Sequence, residues 1–273
     1  MNILVKSLFI LGVLASTCFA SQKIEMRFEY YPNGQTKEAY SVYIDKNGNE
    51  IRDGMDIGWS EDGKKLKEVE YLNGKFNGKL VDWWGNGKKR NEIEYKDHKL
   101  NGKFISYYEN GNTKEASEWV DGVETGMYIT WHDNGEKRSE VEFKEGKETG
   151  KMFTWERDGQ KGSESEYING KLNGKIIKWW GGRKRENAEY KDGKLIGKRI
   201  VWHENGKVMA EENYKDGKLD GKAFEWYDNG KKKAEATYIN GKYNGKYITW
   251  YESGKKESES EYKDSMLVRQ IYP

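Results

Sequence analysis

Nine glycines set the ruler for this chain: Gly54, Gly78, Gly102, Gly126, Gly150, Gly174, Gly197, Gly221 and Gly245 follow one another at 24 residues, with a single step of 23. The short step coincides with "WWGGRK" from Trp179 to Lys184, one residue shorter than "WWGNGKK" from Trp83 to Lys89. A period this strict means that each unit is one supersecondary element, too small to bury its own apolar surface, which stacks on its neighbours. An irregular tenth unit, "RFEYYPNGQTKEAYSVYID", precedes the nine and caps the array.

Each unit divides into two short extended segments. The first, of the type "GKIIKWW", is rich in aromatic and β-branched residues, which suit a pleated surface. In the second, of the type "KKRNEIEY", Ile93 and Tyr95 alternate with Glu92 and Glu94 at period two. Asn-Gly or Asp-Gly pairs stand between segments, Asn86-Gly87 on one side and Asn73-Gly74 on the other, and predict type I′ hairpin turns. The fold class expected is all-β: an elongated antiparallel β-hairpin array of about ten 24-residue units. With neighbouring strands ~4.8 Å apart, about twenty strands make a rod on the order of 95 Å long.

Five residues after the opening glycines come Trp59, Trp83, Tyr107, Trp131, Trp155, Trp179, Trp202, Trp226 and Trp250. Stacked in register, these rings form a structural row. Val81, Ile105, Phe153 and Ile177, two residues before their rings, share that face by strand alternation. The glutamates of the second segments, such as Glu68 and Glu70 or Glu92 and Glu94, are expected on the other, giving one aromatic and one charged face. The next slot varies from unit to unit: Trp84, Tyr108, His132, Trp180, His203, Tyr227 and Tyr251. Variation inside a rigid repeat is where specificity can be written, so these seven are the candidate partner-binding residues, expected opposite the tryptophan row.

Charged residues make up 34% of the chain and mean hydropathy is −1.07, a balance that alone leans towards disorder. The periodic rings, 14% of the sequence, argue against it. Net charge is +2 with both signs interspersed in every unit, which builds no field for nucleic acid. "MNILVKSLFILGVLASTCFA" has the basic start, apolar run and small final residue of an export leader cleaved after Ala20. The residues before Cys18 fit a lipoprotein signal less well. The organisation expected is therefore a leader at 1–20, a capping unit at 21–53, nine repeats at 54–264 and a tail at 265–273, in a periplasmic, cell-surface or secreted protein.

Units such as "YKDGKLDGKAFEWYDNGK" resemble the bacterial variant of the MORN repeat, in which Tyr-x-(Asn/Asp)-Gly-Lys-Leu-x-Gly leads into an aromatic strand and Asn-Gly-Lys. Glu124 and Glu148 replace the usual leucine. The resemblance implies a hairpin array with a non-enzymatic role in binding or assembly. Many bacterial members are labelled YwqK-type antitoxins, and eukaryotic relatives are linked to membrane attachment and scaffolding.

No constellation for catalysis, a metal or a cofactor is read from the chain. His132 and His203 stand where other units have tyrosine, some six strands or ~29 Å apart, and His98 takes a turn position usually held by glycine. The glutamate pairs recur in most units, as a charge ladder does and a catalytic pair does not. The leading expectation is an exported scaffold binding a protein partner or cell-surface component. The alternatives are an antitoxin or immunity protein, and envelope glycan, choline or lipid binding through the aromatic rows, with membrane lipid weakly supported because the near-neutral charge attracts it little.

Overall fold

The computed structural model describes residues 23–272. The proposed leader with Cys18, and Pro273, lie outside the described residues. Twenty-three strands form one open antiparallel sheet in which each strand lies beside its neighbours in sequence. Lys171–Leu172 and Gly174–Trp180 both pair with Lys161–Ile168, and Lys218–Leu219 and Gly221–Trp226 both pair with Val208–Lys215. Each of these two sets is one interrupted strand, which leaves twenty-one strand positions.

Three long turns open the rod, at Tyr31–Gln35, Asp45–Asn49 and Ser60–Lys64; from Asn73 on, short and long turns alternate except at Gly181-Gly182, where a short turn takes the place of a long one. At the short turns both central residues are left-handed, as at Asn73 (φ 50°) and Gly74 (φ 77°), the type I′ geometry expected. The other turns differ from expectation. In Trp84–Lys88 the Trp84 amide donates to the Lys88 carbonyl and the Gly87 amide to the Trp84 carbonyl, both at 2.8 Å, and Asn86 is not left-handed. This is a longer loop built on a type I turn and closed by a glycine bulge. Asn86 works through its side chain instead: its carboxamide accepts from the Lys88 amide at 2.9 Å and donates to the Glu109 carbonyl of the next long turn at 2.8 Å. The same reach recurs from Asn110, Asn134 and Asn205.

The register overturns the expected division into an aromatic and a charged face. In the hairpin of Lys75–Trp83 with Lys89–Lys96, Val81 lies opposite Glu92, Lys79 opposite Glu94 and Trp83 opposite Lys89, so the glutamates share the tryptophan face. Leu80 opposite Ile93 and Gly78 opposite Tyr95 make up the other. Alternation within one strand fixes which residues go together, but the long turn and the bulge at its base decide how two strands match.

With only one layer, the sheet has few buried residues. The most enclosed file runs down the tyrosine face through small side chains, including Val69, Ser117, Val141, Ser165, Ala188 and Ala236. The tryptophan row is half-buried, so each ring contributes about 2–3 kcal/mol of burial, half of what full enclosure implies.

The opening glycines hold strand bulges. Gly102 has φ 122°, and a Cβ there would fall inside the Glu94 carboxylate. Neither the backbone nor the space admits a side chain.

Candidate functional site

On the tryptophan face the rings are covered by the protein's own lysines. The Lys65 ammonium sits 5.3 Å from the Trp83 ring, Lys137 5.3 Å from Trp155, Lys161 5.0 Å from Trp179 and Lys232 5.3 Å from Trp250. Each of these lysines also pairs with the glutamate three residues on, Lys137 with Glu140 at 2.7 Å and Lys161 with Glu164 at 2.8 Å. A cation over an aromatic ring and a carboxylate beside it satisfy each other in place. These four rings therefore present no open seat for a choline-like cation. Where the slot holds Tyr107, its hydroxyl donates to Glu92 at 2.5 Å; burial and that carboxylate push the phenol up to about 12.

The opposite face has open grooves. One of about 590 Å³ runs past Tyr31, Trp59, Lys67, Val69 and Leu80; one of about 360 Å³ past Trp84, Asn91, Ser106, Tyr108 and Glu115; and one of about 510 Å³ past His203, Ala210, Glu225, Tyr227 and Lys233. The second and third are the same groove at equivalent positions of two units, and the first is that groove extended across a second unit.

The outer wall is the variable slot that follows the structural ring. Its members reach across two strands to the next unit: Trp84 Nε1 donates to the Tyr107 carbonyl (3.2 Å), Tyr108 Oη to Trp131 (2.8 Å) and Tyr227 Oη to Trp250 (2.9 Å). His132 Nε2 and His203 Nε2 lie 3.0 and 2.8 Å from the carbonyls of Trp155 and Trp226. A carbonyl only accepts, so each imidazole carries its proton on Nε2 and stands in for a tyrosine hydroxyl. Tyr31 makes the same bond to Trp59 at 2.8 Å. Of the seven candidate residues these five form a hydrogen-bonded ladder and the other two stand outside it. Trp180 is 76% exposed because the shortened turn at Gly181-Gly182 does not bring it to the next unit, and Tyr251 is 50% exposed and makes no such bond among the described residues.

The floor is a file of cross-strand pairs that sequence reasoning missed. It reads Asp82–Asn91 (3.0 Å), Ser106–Glu115 (3.0 Å), Thr130–Ser139 (2.6 Å), Thr154–Ser163 (2.8 Å) and Lys178–Glu186 (2.8 Å), then changes to Val201 opposite Ala210. Beside the apolar pair the central file changes too: Arg199 bridges Glu186 at 2.7 Å and Glu212 at 2.8 Å. Those two carboxylates raise the guanidinium further, and Lys178 and Arg199 hold Glu186 below the usual carboxylate range. The Thr–Ser pair recurs, also as Thr249–Ser258 (2.8 Å), and the other pairs share only their position in the unit.

His98 also has a role beyond filling a glycine position. At φ 66° its Nδ1 accepts the Phe76 amide at 3.1 Å, and its ring packs edge-on against Phe76. Among the described residues no group of three or more His, Cys, Asp or Glu side chains is placed to hold a metal ion.

The fold and its groove define a class, the β-hairpin repeat scaffold. Within that class, residues 100–121, 195–216, 219–240 and 243–264 match the MORN repeat variant; each match spans one hairpin, from the residue after the short turn to the acid or amide of the next. Such repeats and such a sheet are typically non-catalytic. No curated protein matches the chain. Among solved structures, a chain in the crystal structure of TcdB2-TccC3-Cdc42 is similar at 11% identity over 88% of this chain and 14% of that one, with a TM-score of 0.21, too loose an overlay to bear on fold or function.

Proposed function

We propose that the chain is an exported, non-enzymatic scaffold that holds a protein partner, or a protein of a cell surface, along its groove face. The observation that carries this reading is the recurrence of one groove at equivalent unit positions, with a wall of Trp, Tyr or His side chains bonded to the next unit and a floor that changes from unit to unit. The wall's bonds to the next unit set the spacing of contacts and the changing floor gives units different preferences, so modest contacts sum along the rod. The tryptophan face, capped by its own lysines, offers less. Mixed charge gives no support to nucleic acid and little to a lipid surface.

Cross-linked capture by the protein from intact cells and medium tests the proposal, with Thr130→Val/Ser139→Ala altering a groove floor and Lys161→Gln altering the tryptophan face. Loss of the captured protein with the floor variant alone is expected. Capture that ignores the floor variant would overturn the groove as the site. One small partner encoded beside this chain, whose toxicity the chain relieves on co-expression, would replace the scaffold reading with that of an antitoxin.

A further inference from the structure

The sheet has two open margins. At one, the strand Glu25–Tyr30 is paired on one side by Thr36–Ile44 and on the other by no strand among the described residues. At the other margin, Met266–Tyr272 pairs, among the described residues, only with Lys256–Lys263. Among the described residues, nine of the twenty exposed large hydrophobic side chains lie on or beside these two strands. An unpaired edge with apolar side chains is a template for another strand.

The strand count restricts what can dock. With an odd number of positions, the two marginal strands run in the same direction. A second copy that pairs antiparallel and keeps each face continuous must therefore join like to like, first strand to first strand or last to last.

The first strand is complementary to itself. Its register places Glu25, Arg27 and Glu29 on the groove face and Met26, Phe28 and Tyr30 on the tryptophan face. A two-fold axis through Phe28 sets Arg27 against Glu29 of the second copy, twice. On the other face it sets Phe28 against Phe28 and Met26 against Tyr30. Those apolar side chains are 50%, 53% and 60% exposed for Met26, Phe28 and Tyr30, and they hold slots that in interior units the preceding hairpin covers. Arg27 already contacts Glu50 at 2.6 Å and Glu29 contacts Lys37 at 3.3 Å, so the new pairs would join two existing ones into rows of alternating charge. The last strand, "MLVRQIY", has one charged side chain, Arg269, already on Glu261 at 2.7 Å, and no register of it against itself brings opposite charges together.

We propose that the chain forms a head-to-head dimer through antiparallel pairing of Glu25–Tyr30 about Phe28, which continues the sheet and both its faces from one copy into the next. A single added strand pair is a small interface, so the dimer is concentration-dependent.

The test is light scattering on the full chain, expressed with its own leader and read over a range of concentrations. Wild type is expected to show a dimer. Arg27→Glu and Glu29→Arg each set like charges across the axis and should weaken it at least tenfold, and an equimolar mixture of the two variants restores opposite charges and should recover it. Val268→Lys, on the last strand, should change nothing. Phe28→Cys gives a second reading, since mild oxidation should link two copies on a non-reducing gel while wild type and Val268→Cys stay unlinked. A wild type monomeric throughout, single variants as dimeric as wild type, folded single variants whose mixture stays monomeric, loss of the dimer with Val268→Lys, or no cross-link through Phe28→Cys would each overturn the proposal.

Discussion

Ring by ring, the tryptophan face repeats itself: an aromatic side chain, a lysine over it in four of the units, and a glutamate holding the lysine. Across the sheet the groove face keeps a frame of hydrogen-bonded wall residues and changes its floor from Asp82–Asn91 to Lys178–Glu186 to Val201–Ala210. Both faces use the same strands, so backbone geometry does not separate them. One face pairs its side chains with each other, and the other has a row of positions whose residues differ between units. A repeat protein that keeps one face invariant is free to vary the opposite one.

The sharpest way to break this division is to damage what both faces share. Gly102→Ala should cost about 2–3 kcal/mol, from strain at positive φ and the clash with Glu94, read by denaturant unfolding. Next comes a direct contrast. Trp155→Ala should cost about 2 kcal/mol, whereas Thr130→Val/Ser139→Ala, which removes both partners of one hydrogen bond, should stay within about 1 kcal/mol. Equal losses from the two would mean that the groove floor is as structural as the ring row.

A smaller effect of opposite sign is expected at Glu124. Burial, then repulsion from Glu115 and Glu148, raises its carboxyl above the usual range, so the folded state gains stability as pH falls through that raised value towards the ordinary carboxylate one. Glu124→Leu restores the usual residue, should stabilise by roughly 1 kcal/mol at neutral pH, and should remove that part of the acid-side gain.

Lys161→Gln uncovers the rings of Trp179 and Phe153, 5.0 and 4.7 Å from its ammonium, and should cost about 0.5–1 kcal/mol, with tryptophan emission moving to longer wavelength. Last, hydrogen bonds from Lys246 and Lys256 hold Glu259 down to about 2. Its contribution is complete above the ordinary carboxylate pKa and fades as pH falls towards 2. Glu259→Gln should therefore flatten the acid limb of a melting-temperature profile and leave its alkaline limb unchanged.

Much of the fold was legible. The glycine period gave the unit, the paired short segments gave the strands, and Asn73-Gly74 gave the short turns. The match between strands was not, because it depends on the long turn: Asn86-Gly87 looks like a two-residue turn in sequence and is part of a longer loop closed by Gly87 alone. That difference moved the glutamates to the tryptophan face. Of the candidate site, the variable slot was visible because Trp84, Tyr108 and His132 differ at a fixed offset. Its hydrogen bonds to the following unit were not visible, since the acceptors are backbone carbonyls 23 residues away. The floor pairs escaped because their partners are matched across the long turn: even the recurring Thr–Ser pairs do not stand out until Thr130 is set opposite Ser139.

A sheet in which every strand touches only its sequence neighbours also has a mechanical character. Its strands lie across the long axis, so tension applied to the two ends would load the hairpins singly, as in an opening zipper, and not all together in shear. Each hairpin released adds 24 residues, about 80 Å of extended chain, while the units behind it keep their grooves. The molecule would then act as a strap that lengthens in steps, keeping hold of whatever its remaining units bind.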